Sequence, residues 1–288
     1  MKERYDAKKA HVKAMTRRMA VWFQWKRIAE HKELKKYVEA KLYDDHSPES
    51  IAGRLKNVDQ YLPYASKDSI YRYLKSVHGR KLEAYRAKRK PAKKHKGTKV
   101  TKLADRVFID KRPKVINKRG RVGDVEADFI VSGKTGKGIL LTIVCRKIRV
   151  VFIEKINPVT IKNVHKAFRK IQERFPEIKT VSTDNDILLQ KHKELEKLLV
   201  CKIYFCHPYH SWEKGSNENA NGHIRKYIPK GADVSFYSKS FIKKVEDKLN
   251  GRYLKCLRYY TPAEVLKKHR KQKNAGALGR IKIFLCSI

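Results

Sequence analysis

The chain has 288 residues, and its 70 Lys and Arg against 29 Asp and Glu give a formal net charge of +41 at pH 7. Hydrophobic residues make up 41% of the sequence, enough to bury a core, so a wholly disordered chain is excluded. The longest apolar run, 139–145, is far too short to cross a bilayer, and residues 1–4 lack the apolar core of a signal peptide. An odd number of cysteines, five, indicates a reducing compartment rather than a disulfide framework.

The excess of positive charge predicts a polyanionic partner, because so many like charges repel one another in a folded chain. Nucleic acid is the first candidate, since Lys and Arg neutralise backbone phosphates. A membrane surface is the second, but the sequence contains neither a convincing basic amphipathic helix nor a lipidation signal, so no membrane partner is expected. Charge alone does not distinguish DNA from RNA, and an RNA-binding basic protein stays open as an alternative.

The N-terminal region predicts helices, and residues 1–43 carry apolar side chains at helical spacing. Ser47 followed by Pro and Glu is typical of a helix start, and Ser66 opens a second short helix. The apolar stripe of that second helix is expected to comprise Ile70, Tyr73, Leu74 and Val77. Two short capped helices joined by a turn are typical of a helix-turn-helix, and a plain helical hairpin with solvated charges is the alternative.

Basic residues in two neighbouring segments predict contacts to nucleic acid. The second helix of the helix-turn-helix would present Lys67, Arg72 and Lys75 to phosphates or bases. Residues 84–104 hold no acid at all, so this segment is expected to be a linker or arm that orders when it meets phosphate. The candidate DNA-binding residues of the arm are Lys88, Arg89, Lys90, Lys93 and Lys94.

From about residue 120 the pattern changes to strands that alternate with helices. Strands are predicted at 122–131, 138–147, 149–156, 180–184 and 202–206. Helices are predicted at 161–175, around 188–199, at 217–228 and at 238–250. Three strands, then helix, strand, helix and strand, predict a mixed α/β domain.

Carboxylates in this second region suggest a metal-dependent site. Asp124, Glu126 and Asp128 alternate along the first strand and so share one face of it. Asp184 closes a short apolar strand, and 33 residues separate it from Glu218, near a helix start. Mg²⁺ prefers oxygen ligands, and two such ions can activate a hydroxyl and stabilise the leaving oxygen of a phosphodiester. Without further context, however, scattered acids are a weak signal.

Several motifs resemble those of the insertion-sequence 30 family of transposases. The most specific is residues 204–231, YFCHPYHSWEKGSNENANGHIRKYIPKG, which resembles the family's signature block. Residues 123–128 (GDVEAD) and 183–185 (TDN) resemble its first and second catalytic strands, and 249–252 (LNGR) with 261–264 (TPAE) its closing motif. Residues 47–55 and 69–73 resemble its helix-turn-helix, so the likeness covers most of residues 40–266.

The resemblance implies a DDE transposase: an α/β fold with a ribonuclease H-like mixed sheet flanked by helices, preceded by a helical helix-turn-helix region. Carried over by position, Asp128, Asp184 and Glu218 would be the catalytic, metal-binding triad, holding two Mg²⁺ ions or Mn²⁺ as a substitute. The implied reaction is hydrolysis of a phosphodiester at the element's ends, followed by attack of the freed 3′-hydroxyl on target DNA. The implied partners are double-stranded DNA and further copies of the chain, in a homodimer or higher multimer. The implied location is a prokaryotic cytoplasm, at the nucleoid.

The expected organisation has four parts. Residues 1–85 are a helical DNA-binding region and 86–112 a basic linker. Residues 113–270 are an integrase-type catalytic domain, and 271–288 are a basic tail of unknown role. A truncated, non-catalytic DNA-binding remnant that acts as a regulator is the alternative function.

Rival residues surround each member of the predicted triad. Asp186 competes with Asp184, which we favour because it ends the apolar strand as in the family pattern. Glu213 competes with Glu218 but lies in a loop flanked by Pro and Gly. Asp124 and Glu126 either support the triad or form a solvated strand face, and we favour the solvated face.

Three further polar residues, Asn217, Asn221 and Arg225, recur at helical spacing near Glu218. They are candidates for holding DNA phosphate, and a capping role is the alternative for Asn217. Cys201, Cys206, His207 and His210 do not have zinc-finger spacing, so the two cysteines are expected to pack in a core. His207 itself stands where the family usually has Asp.

Overall fold

The computed structural model describes residues 6–87, 106–133, 136–207 and 211–285. Its contacts divide the chain into two compact units: Met1–Lys90 with Tyr253–Tyr260, and Pro91–Arg252 with Thr261–Ile288. No helix in the described part of the chain is both long and apolar enough to span a bilayer. The predicted arm residues Lys88, Arg89, Lys90, Lys93 and Lys94 lie outside the described residues.

The first unit is helical. Its helices are α1 (Ala7–Glu30), α2 (Lys32–Tyr43), α3 (Pro48–Asn57), α4 (Lys67–Lys75) and α5 (Arg80–Ala87). The hydroxyl oxygens of Ser47 and Ser66 accept hydrogen bonds from backbone N–H groups of α3 and α4, which confirms both predicted helix starts. The predicted stripe of α4 is buried except for Val77, which is 80% exposed because the helix ends at Lys75. That part of the prediction is wrong.

Residues Tyr253–Tyr260 pack into the helical unit although they lie far downstream in sequence. The guanidinium of Arg54, on α3, donates to the carbonyl oxygen of Tyr259 at 3.2 Å and pairs with Asp59 at 3.2 Å. It also lies 4.6 Å from the ring centroid of Tyr253. The ring of Tyr259 covers Gly53 so closely that a Cβ there would lie 2.1 Å from a ring carbon. The downstream segment is therefore an integral part of this unit.

The second unit is built on a five-stranded sheet with strand order β3-β2-β1-β4-β5. The strands are β1 (Asp124–Val131), β2 (Ile139–Cys145), β3 (Val151–Ile156), β4 (Thr180–Thr183) and β5 (Lys202–Phe205). β1, β2 and β3 are antiparallel, whereas β4 runs parallel to β1 and β5 parallel to β4. The predicted α/β class, a mixed sheet flanked by helices and preceded by a helical region, is confirmed.

Helices cover both faces of this sheet. They are α6 (Lys114–Asn117), α7 (Ile161–Arg174), α8 (His192–Leu199), α9 (Gly215–Ile224), α10 (Lys239–Asn250) and α11 (Pro262–Leu285). Because side chains alternate along a strand, Val125 and Ala127 of β1 join the core under α7 and α8. Ile130 joins a second core under α9 and α10. The residues of β1 that alternate with Val125 and Ala127 therefore face α9.

Candidate active site

Two of the predicted catalytic acids meet at one lysine. Asp128 lies within β1, and Asp184 directly follows β4, the parallel neighbour of β1. The ammonium nitrogen of Lys214 lies 3.0 Å from Oδ1 of Asp128 and 2.7 Å from Oδ2 of Asp184. Since both contacts are to one nitrogen, the two carboxylates are close enough for a single cation to contact both.

Lys214 reaches the acids from the protein interior. Its side chain is 5% exposed, whereas that of Asp184 is 54% exposed. Burial disfavours the charged amine, but attraction to Asp128 and Asp184 outweighs burial and raises the pKa of Lys214. The gap between the carboxylates therefore holds a buried positive charge and is open to solvent beside Asp184.

Helix α9 packs on β1 and β2 through two asparagines one turn apart. Nδ2 of Asn221 donates to Oδ2 of Asp128 at 2.6 Å, and its Oδ1 lies 3.1 Å from the hydroxyl of Thr142. Asn217 is fully buried, and both polar atoms of its amide contact Thr142, at 3.3 and 3.5 Å. Asn221 therefore orients Asp128, whereas the buried amide of Asn217 joins the helix to the sheet.

Glu126 holds the N-terminus of α9. One carboxylate oxygen accepts from the backbone N–H groups of Ser216 and Asn217, both at 3.0 Å, and the other accepts from the guanidinium of Arg146. A carboxylate is favoured there because the first N–H groups of a helix lack partners within the helix. At 1% exposure Glu126 is not on a solvated strand face, so that expectation is wrong. It positions the helix that carries Glu218.

Asp124 is buried as well, contrary to the same expectation. It accepts from the hydroxyl of Thr180, on β4, at 2.8 Å and from the guanidinium of Arg121 at 3.0 Å. These partners compensate the charge of Asp124 inside the protein. Asp124 therefore joins β1 to β4, which are the two strands that position Asp128 and Asp184.

Glu218 is exposed on α9. Among the described residues, no three Asp, Glu, His or Cys side chains are grouped so that they could hold a metal ion. The structure thus brings Asp128 and Asp184 together and leaves Glu218 outside the pair. Glu218 lies three residues before Asn221, so the two positions are neighbours on the helix surface.

The rival acids have other partners. The carboxylate of Asp186 accepts from the N–H of Leu188 at 2.9 Å, and burial, with a further contribution from Asp128 and Asp184, raises its pKa. One carboxylate oxygen of Glu213 accepts from the backbone N–H of His207 at 2.9 Å, and the other lies 3.0 Å from Nδ1 of the His207 ring. Asp186 is therefore close to Asp128 and Asp184 but forms a hydrogen bond within its own loop. Both carboxylate oxygens of Glu213 contact His207.

The remaining candidate binding residues lie in both units. On α4 of the helical unit, Lys67, Arg72 and Lys75 are exposed. Arg225, just after α9, is half-buried and donates to the carbonyl oxygen of Pro229 at 3.2 Å. Burial lowers the pKa of Arg225, and the charge of Asp128 opposes that shift. Cys201 and Cys206 are buried free thiols, which confirms the packing prediction.

Sequence reasoning missed three residues of this site. Lys214 lies inside the signature block, where its position just before a helix start was the available signal. Thr142 is the polar residue of the otherwise apolar strand β2, and it pairs in register with Asp128. Arg146, directly after β2, gave no comparable signal, because its buried partner Glu126 was itself expected to be solvated.

Comparisons with known proteins identify the family. The transposase of the element IS4351 from Bacteroides fragilis is 38% identical over 239 residues, covering 80% of this chain and 72% of the relative. The transposase of IS1086 from Cupriavidus metallidurans is 31% identical, over 76% of this chain and 68% of the relative. The transposase InsI of IS30A from Escherichia coli is 30% identical, over 82% of this chain and 64% of the relative.

These relatives define the class of protein as the transposases of insertion sequences. The chain belongs to the insertion-sequence 30 family of that class, as the signature block predicted. No protein-family profile matches the chain. Among solved structures, the catalytic core of bovine immunodeficiency virus integrase is similar to it, with a TM-score of 0.42, 16% identity and coverage of 53% of this chain and 98% of the core.

Proposed function

We propose that this chain cuts phosphodiester bonds at the ends of an insertion sequence and joins the freed ends to target DNA. The observation that carries the proposal is the convergence of Asp128 and Asp184 on a single cation, at 3.0 and 2.7 Å. The acids come from neighbouring parallel strands and are open to solvent on one side. A polyanionic backbone could approach from that side, and the net charge of +41 favours its approach.

Divalent metal ions fit this donor set. Asp128 and Asp184 offer oxygen ligands, which Mg²⁺ and Mn²⁺ prefer, and the contacts of both acids with the Lys214 ammonium support the assignment of a cation to this gap. Asp128 and Asp184 would hold such ions, whose chemistry would be to activate a hydroxyl for attack on phosphorus and to stabilise the leaving oxygen. We assign Asp128 and Asp184 as ligands and Glu218 as the third acid, supplied from α9.

The protein's own residues have separate roles in this scheme. The amide of Asn221 fixes one oxygen of Asp128 and leaves the other directed into the gap. Glu126 holds the start of α9 and so sets where Glu218 can reach. Lys67, Arg72 and Lys75 are the assigned contacts to double-stranded DNA in the helical unit, and Arg225 is the assigned phosphate contact near the acids.

The test is a strand-transfer assay with the full-length chain, DNA that carries the element's ends, and Mg²⁺. Asp128→Asn, Asp184→Asn and Glu218→Gln are each expected to reduce joined product by about a hundredfold or more, because each removes a charged oxygen ligand. Glu194→Gln, at an exposed acid of α8 that pairs with Lys191 at 3.1 Å, is the matched control and is expected to keep full activity. Full activity in all three acid variants would refute the assignment.

A second candidate function is a non-catalytic DNA-binding regulator. The observation that favours it is the position of Glu218 outside the carboxylate pair. In that case the parent chain binds end-containing DNA in a salt-dependent manner, yet gives no cleavage with Mg²⁺ or Mn²⁺. Cleavage that depends on Asp184 would rule this candidate out.

A further inference from the structure

We propose that Lys214 is an internal cation that occupies the bridging position between Asp128 and Asp184 and has to withdraw before a divalent ion can bridge them. This inference rests on the proposed function. It adds a form of regulation that the sequence did not indicate, in which a metal ion competes with a lysine of the same chain for the two carboxylates. Metal-free protein would thereby be held in a stable but inactive arrangement.

The contacts identify which atoms compete. The Lys214 nitrogen lies 3.0 Å from Oδ1 of Asp128 and 2.7 Å from Oδ2 of Asp184. The second oxygen of Asp128 is already occupied by the amide of Asn221, at 2.6 Å. The lysine therefore holds the oxygens that face the gap, which are the ones that a bridging ion would need.

Charge makes the two occupants mutually exclusive. Two carboxylates this close repel each other, and a cation in the gap relieves that repulsion. An ammonium and a divalent ion in the same gap would repel each other strongly, because the surroundings of Lys214 are buried and screen little. One cation therefore replaces the other.

The lysine side chain and a metal ion would also approach the carboxylates from different sides. Lys214 enters from the interior, with its side chain 5% exposed, whereas the side chains of Asp128 and Asp184 are 29% and 54% exposed. A metal ion can thus reach the carboxylates from solvent while the lysine is still in place. Displacement would move the Lys214 ammonium away from both acids and from the carbonyl oxygen of Ala127, which it contacts at 3.5 Å.

The experiment measures Mn²⁺ binding to the full-length chain, with free Mn²⁺ followed by electron paramagnetic resonance and thermal unfolding recorded in parallel. Lys214→Met keeps the length and apolar stem of the side chain and removes its charge. We expect this variant to bind Mn²⁺ at least about tenfold more tightly, since no internal cation competes. We also expect its unfolding temperature to fall without metal and to rise more than the parent's when Mn²⁺ is added.

Three further variants make the result decisive. Lys244→Met, an exposed lysine of α10, is the matched control and should leave Mn²⁺ affinity unchanged. Lys214→Gln gives a second neutral side chain, and it replaces Lys214→Met in the comparison if that variant does not fold. Asp184→Asn should abolish the tight binding in both the parent and the Lys214→Met background.

The outcomes separate the inference from the proposed function. Asp184-dependent binding that becomes tighter in the neutral Lys214 variants supports the inference. Asp184-dependent binding that is unchanged or weaker in a folded neutral variant overturns the inference and leaves the proposed function intact. Binding that never depends on Asp184 overturns the proposed metal site and the inference with it.

Discussion

Replacing Glu126 with alanine is expected to destabilise the sheet unit strongly and to loosen α9. The carboxylate is 1% exposed, pairs with a guanidinium that is 6% exposed, and accepts two backbone N–H groups at 3.0 Å. Removing one partner of a buried ion pair costs about 3–5 kcal/mol, because the other charge is left unpaired. Within the described part of the chain, the Nε of Arg146 has no hydrogen-bond partner even when Glu126 is present. Such a loss is a large part of the roughly 5–15 kcal/mol that holds a domain together.

Urea unfolding of the full-length chain measures the size of this effect, and hydrogen exchange resolved to peptides of α9 measures its location. Glu126→Gln keeps an acceptor for the N–H groups and should cost less than Glu126→Ala. Arg146→Met in the Glu126→Ala background should restore part of the loss, since it removes the unpaired charge. Glu194→Gln is the exposed control, with an expected change within about 0.5 kcal/mol. A loss below about 1 kcal/mol for Glu126→Ala, with unchanged exchange in α9, would refute this account.

Two further predictions concern other parts of the chain. Gly53→Ala is expected to destabilise the helical unit by about 1–3 kcal/mol, because its Cβ would lie 2.1 Å from the ring of Tyr259. Urea unfolding measures this loss. Adding Tyr259→Ala to the same chain should remove most of the lost stability. The hydrogen bond from His207 to Glu213 raises the pKa of the imidazole above 6.5, so the protonated ring stabilises the fold below that pH and the stabilisation fades as pH rises through the raised value. His207→Gln should therefore lower the unfolding temperature more at about pH 6 than at about pH 9, and an equal loss at both would contradict the assigned interaction.

Local signals in the sequence predicted the elements of the fold well. Ser47 and Ser66 mark helix starts through contacts with nearby backbone groups. The alternation of polar and apolar residues in β1 and the apolar residues of β2 and β3 could be recognised without knowledge of the neighbouring strands. Val77 was placed wrongly because helical spacing continues past Lys75, where the chain leaves the helix. The spacing of apolar residues alone does not predict where a helix ends.

The surroundings of the acids were harder to predict, because they depend on contacts between distant parts of the chain. Glu126 was expected to be solvated, because alternation along a strand predicts which residues share a face but not which element packs on that face. Its cover is the N-terminus of α9, some ninety residues later in the chain. Lys214 was missed for the same reason, as its role depends on two strands it does not adjoin in sequence. The family resemblance selected Asp128 and Asp184, whereas the buried contacts around them depend on how the chain folds.

The packing of Tyr253–Tyr260 into the helical unit has a consequence for synthesis of the protein. A ribosome makes α1 to α5 first, yet Tyr253 and Tyr259, which contact Arg54 and cover Gly53, are translated only after the whole sheet. The nascent helical unit therefore lacks the contacts of Tyr253–Tyr260 until nearly the entire polypeptide has been synthesised. An early stop codon upstream of residue 253 would therefore remove part of the N-terminal unit as well as the end of the sheet unit.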